Sequence, residues 1–169
     1  MAWRGRTEIQ DRLLSCLPYL LPLIKVQLLG APLFALVPFL SYLYLPLLPF
    51  IYVYGFLANL IRLPFLSLDF IIFFALFLGV VRNEKLIHFL RFHTMQALLF
   101  GIFTSLCIAV LQFAGFLTVA GAPALPVAIL LGAIFLVVFV ASVYSIIQAL
   151  RGIYAEIPFI SEAAYAQIR

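Results

Sequence analysis

Two long stretches without a charged side chain constrain this chain more than anything else in it. No Asp, Glu, Lys or Arg occurs between Lys25 and Arg62, and none between Arg91 and Arg151. Charged residues make up 9% of the 169 and hydrophobic ones 67%. Soluble domains carry roughly 25% charged residues. A single domain of this size leaves much of its surface exposed, so water is not its solvent. Transmembrane strands alternate polar and apolar residues in short segments, whereas the apolar runs here are continuous. The fold class is therefore all-α: a polytopic membrane protein, one integral domain over residues 1–169, with the lipid bilayer as its first partner.

The interval Val80–Gln96 interrupts this pattern. Arg82, Lys85 and Arg91 stand there against a lone Glu84, with His88 and His93 among them. A polar island between apolar runs reads as a loop joining two spans. Residues 8–24 begin amphipathically, with Ile9, Leu13 and Leu17 on one face and Glu8, Asp11 and Arg12 on the other. They predict an interfacial helix ending in a snorkelling Lys25. A first span starting here is the competing reading.

Four transmembrane helices follow from the remaining pattern, over about 31–58, 66–81, 92–117 and 126–150, and a short C-terminal helix starts near Ser161 as N-cap. Pro32, Pro38, Pro46 and Pro49 punctuate the first span and predict a kink near Pro46 and Pro49, or a re-entrant, broken helix lining a cavity. Four spans put Arg4, Arg6, Arg12, Lys25, Arg82, Lys85, Arg91, Arg151 and Arg169 on one side, leaving Arg62 alone opposite. The positive-inside bias then places both termini on the cytoplasmic side or its organellar equivalent. Topology accounts for the net charge of +4 without a nucleic-acid partner.

Small residues recur every four positions, at Ala97, Gly101, Ser105 and Ala109 and again at Ala128 and Gly132. This spacing predicts close helix packing, with the third and fourth spans forming a hairpin. Cys16 and Cys107 read as small apolar packing residues. No constellation predicts an enzyme, a metal or a cofactor. His88 and His93 are poorly spaced for one helix face, Asp69 reads as a span-end residue, and no intramembrane acid is expected.

Four stretches carry a family resemblance: DRLLSCLPYLLPL at 11–23, GVVRN at 79–83, FLRFHTMQA at 89–97 and IPFISEAAYAQI at 157–168. Together, in order and nearly end to end, they resemble the Tic-twenty family. That family is the twenty-kilodalton component of the translocon at the inner envelope membrane of chloroplasts, with cyanobacterial and plastid-encoded relatives. The family often has Asn at the position of His93. The resemblance implies four membrane helices, both termini stromal or cytoplasmic, and a part in moving proteins across a membrane as a channel or core subunit. Its partners would be other subunits or further copies of itself, and transported proteins. The missing transit sequence suits a cyanobacterial plasma or thylakoid membrane, or a plastid-encoded protein of the inner envelope. The matching positions are Arg82, Asn83, Arg91, Phe92, Met95, Gln96, Ser161, Glu162 and Tyr165. With Lys85 they are the candidates for docking partners or setting topology. A small-solute transporter or channel, and a scaffold, are the alternatives.

Overall fold

The structure is a computed structural model that describes residues 8–61, 67–117 and 124–168. Arg4, Arg6, Arg62, Gly121 and Arg169, which the charge count and the expected turn draw on, lie outside the described residues. The described residues form helices and no strand. Four helices are long and apolar enough to cross a membrane: α1 (Ile9–Leu36), α2 (Pro38–Leu60), α4 (His88–Phe113) and α5 (Leu125–Leu150). A shorter apolar helix, α3 (Leu68–Val81), precedes α4, and α6 (Ile160–Gln167) closes the chain.

The N-terminal third differs from expectation. The helix does not stop near residue 24 and resume at 31. It runs from Ile9 to Leu36, tightening to a 3-10 turn at Leu17–Tyr19. Pro18 sits in the first positions of that turn, where its fixed φ suits helical backbone. The break falls instead at Val37, which leaves the helical region (φ −130°, ψ 81°), as a residue preceding a proline is disposed to do. The expected first span of about 31–58 is thus divided between α1 and α2.

Contacts along α1 fix the directions of the core helices. Cys16 Sγ approaches the Ile146 carbonyl at 3.8 Å, while Gly30 lies against Phe135 and Leu33 against Gly132. These pairings make α1 antiparallel to α5. Tyr19 meets His93 and Gln96, and Lys25 meets Ser105, so α1 runs parallel to α4. The start of α1, the start of α4 and the end of α5 therefore share one end of the bundle, where the described charges other than Lys25 and Asp69 gather. The opposite end, around Leu36, Phe113 and Leu125, is apolar.

The expected hairpin of the last two spans is present only in part, because α1 lies along both and is the main partner of α5. Gly30 explains the preference: a Cβ there would stand 2.8 Å from the Phe135 ring. Small residues permit this approach, and without a hydrophobic drive between helices in lipid, such packing supplies much of the association. Val26, Leu29, Leu111, Leu131, Phe135 and Val138 form the core of the apolar half.

α2 is peripheral. Tyr44 is its one buried residue, donating to the Leu23 carbonyl at 3.2 Å. Its first part, Pro38–Leu47, is a long 3-10 run, an uncommon state in keeping with its prolines. α3 ends in a π-helical turn, Phe77–Val81, in which Arg82 N–H reaches back to the Phe77 carbonyl at 3.0 Å. α2 and α3 together return the chain from the apolar end to the polar end.

Glycines close α4 and α5. Gly115 (φ 80°) and Gly152 (φ 73°) adopt left-handed backbone that L side chains resist. Each sits in a six-residue C-terminal motif, with Phe116 N–H on the Leu111 carbonyl at 3.0 Å and Ile153 N–H on that of Gln148 at 2.9 Å. Gly152 thereby turns the tail back over the start of α4.

Candidate functional site

Three motif stretches that are far apart in sequence meet at the polar end. Tyr19, His93 and Gln96 are fully buried there. Gln96 Nε2 donates to the Ala155 carbonyl at 2.9 Å, so its Oε1 is left to accept, and the Tyr19 hydroxyl donates to it at 2.9 Å. The Tyr19 oxygen also lies 3.0 Å from His93 Nδ1. His93 Nε2 then lies 3.3 Å from the Ile153 carbonyl. Ser161 completes the knot, donating to the Ala155 carbonyl at 3.1 Å and accepting from Ile157 N–H at 2.7 Å. This corrects the expected N-cap: Phe159 precedes α6, and Ser161 ties the loop before it.

Aromatic rings pack around these bonds. Tyr154 stacks on His93 and stands edge-on to Phe89 and Phe92. Val81, Phe92, Met95, Leu98, Ala164 and Ile168 form an apolar cluster beneath. Arg91 is buried, and its Nε donates to the Val81 carbonyl at 2.8 Å, fastening the end of α3 to α4. Chemically this is a lock. It satisfies polar groups that would otherwise be orphaned in an apolar interior, and it fixes the tail to α4.

The candidate residues thus divide. Arg91, Phe92, Met95, Gln96 and Ser161 lie inside the bundle, where the lock or its apolar floor occupies them. Arg82, Lys85, Glu162 and Tyr165 are exposed and Asn83 is half-buried; its Oδ1 accepts from Lys85 N–H at 3.1 Å. Of the small residues, Ala97, Ala128 and Gly132 are buried in helix contacts. Gly101, Ser105 and Ala109 line an open groove of about 550 Å³ beside α3. Tyr19, Tyr154 and Ala155 were not singled out by sequence. A tyrosine within LPYLLP carries the one polar side chain of that run, which is the signal available.

The same groove holds a second polar cluster that corrects two expectations. Lys25 does not end a helix. It lies midway along α1, its Nζ 3.3 Å from Asp69 Oδ2 and 3.1 Å from Ser105 Oγ. Asp69 also accepts from the Tyr54 hydroxyl. Ser67 accepts from Phe70 N–H at 3.4 Å and starts α3, which places Asp69 in its first turn, level with Lys25. An acid within the membrane is therefore present, paired with a base from a different helix. Ionisable residues at such depth are rare and almost always paired.

Comparison with known proteins agrees with the family resemblance. The family model described as "Chloroplast import apparatus Tic20-like" matches residues 4–164. A "Tic20 family protein" of Synechocystis is 37% identical over 169 residues, covering 100% of this chain and 99% of that protein. "Protein TIC 20-I, chloroplastic" of Arabidopsis thaliana is 30% identical, covering 93% of this chain and 54% of its own length. "Tic20 family protein Ycf60" of Cyanidium caldarium is 31% identical, covering 95% and 74%. Matched along nearly its whole length, this integral membrane chain belongs to the Tic20 family.

Proposed function

We propose that this chain is a membrane-embedded subunit of a protein-translocation complex, with its polar end on the cytoplasmic or stromal side. Membership of a family described as an import apparatus carries the reading. The geometry supports it in one respect. The lock makes the polar end a rigid platform on which Arg82 and Lys85 stand exposed, with Arg151 exposed at the end of α5. These cations suit acidic partner segments or anionic headgroups, and they sit where the positive-inside bias expects them. The chain acts by binding and placement, with no chemical step assigned to it.

The test is gentle solubilisation of a tagged chain and identification of its companions. Arg82→Glu with Lys85→Glu should lower recovery of the complex on native gels while membrane insertion is unchanged. Undiminished recovery would count against the platform. Arg91→Glu is unsuited to this test, because it would unfasten α3 before it altered any surface.

Lys25 and Asp69 favour one other reading, a small-solute path beside α3. Solute flux into liposomes holding only this protein would support it, and flux unaffected by Asp69→Asn would remove its basis.

A further inference from the structure

The C-terminal tail does not stay outside the bundle. Going inward, the Ile153 carbonyl lies against His93 Nε2, and the Ala155 carbonyl accepts from Gln96 Nε2. Ile157 and Ile160 then pack against the cluster of Tyr19, Ala97 and Phe100. Coming back, Ala164 joins Phe92 and Met95, and Tyr165 packs on Phe92 and His88. These contacts step down α4 and climb again, so the tail is a hairpin laid along that helix, with Pro158 and Phe159 at its tip.

The depth of the tip follows from the same contacts. α4 has 26 residues, about 39 Å at about 1.5 Å per residue, close to the whole thickness of a bilayer with its headgroup layers. Ala97 stands nine residues beyond His88, about 14 Å along α4. The headgroup layer takes about 5–8 Å of that, so the tip reaches the upper hydrocarbon. Irregular backbone at such depth must find its partners within the protein. It does so here: Ile157 N–H donates to Ser161 Oγ, Ser161 N–H donates to the Ile157 carbonyl, and Pro158 brings no N–H. The tip, residues 157–160, is uncharged, and Glu156 and Glu162 stand exposed on either side of it.

Phe159 is 84% exposed. Its backbone (φ 66°, ψ −45°) is left-handed, and Ile160 N–H donates to the Pro158 carbonyl at 2.8 Å. This is the strained form of the γ-turn. Gly or Asp would sit there more easily than a phenyl ring. In water the exposed ring would add a cost to that strain, whereas acyl chains remove its surface from water.

We propose that the tail hairpin is a wedge inserted into the bilayer from the polar end, with the Phe159 ring among the lipid acyl chains just beneath the headgroups. It anchors the segment that the lock holds against α4. The wedge depends on the chain being in a bilayer and not on its role in translocation.

Fluorescence quenching of the full chain in phosphatidylglycerol vesicles tests it. Trp3 is the chain's own tryptophan, so Phe159→Trp is read in a Trp3→Phe background. Lipids brominated on the upper acyl chain should quench it as strongly as a tryptophan at Val137, which is exposed midway along α5. Iodide should quench it far less than a tryptophan at Lys85. Phe159→Asp should speed amide exchange at 153–157 at least about tenfold, because a carboxylate is costly in hydrocarbon. Quenching by iodide to the extent seen at Lys85 would put the tip in water and overturn the proposal. Quenching by neither agent would put it against another protein and overturn it equally, as would exchange unchanged by Phe159→Asp.

Discussion

Replacing Asp69 with leucine should destabilise this protein far more than replacing Asp69 and Lys25 together. Lys25 lies about 24 Å from the start of α1 and about 16 Å from its end, at 1.5 Å per residue. Both distances exceed the 5–8 Å or so that the headgroup layer takes from each end, so the pair lies in the hydrocarbon region. At 3.3 Å the attraction is about 5 kcal/mol at an effective dielectric of 20. Most of it offsets the desolvation of the two charges. Removing one partner leaves the other uncompensated, which costs about 3–5 kcal/mol. Ser105 Oγ stays in reach of the ammonium, so Asp69→Leu should cost about 3 kcal/mol, the low end of that range. Lys25→Met, leaving a carboxylate with only the Tyr54 hydroxyl, should cost a similar amount. The double variant should fall within about 1 kcal/mol of the parent, since a buried pair replaced by apolar residues is often neutral. Unfolding by SDS in mixed micelles reads all four corners of the cycle. Single variants within about 0.5 kcal/mol of the parent, the range of ordinary surface changes, would refute the reasoning. A double variant no better than the worse single would refute it too.

The lock makes its own prediction: Tyr19→Phe removes the link among His93, Gln96 and the tail, and should cost about 1–3 kcal/mol. Amide exchange at 153–157 should quicken while that at 128–138 holds. Gly30→Val drives a side chain into Phe135 and should cost at least about 1–3 kcal/mol by overpacking, seen as a lower midpoint in the same SDS titration. Cysteine labelling tests the course of α1. A cysteine at Val37 should react from the side opposite one at Lys85, and labelling of both from one side would return α1 to the interface.

Several features were legible because they depend on composition and local sequence. The charge-free runs required helices in lipid, and four stretches in order pointed to the family. Other features were not legible. Residues 8–24 read as a separate interfacial helix, yet a 3-10 turn absorbs Pro18, and Pro22 lies early in the helix that follows. Lys25 looked like an end residue because its partner, Asp69, follows a further apolar helix. Gln96 and Ser161 looked like surface for a partner, but their carbonyl partner Ala155 has no side-chain signature at all.

Sequence alone determined the solvent of this protein, its helical class and its kinship, because each follows from how much apolar surface must be hidden and where charge is missing. Which helix stands at the centre was decided only by three-dimensional packing. α1 takes that place because Gly30 and Gly132 let it close on α5, while Tyr19 and Lys25 find partners on α4 and α3. Those pairings join residues some forty to a hundred positions apart, and no local pattern encodes them.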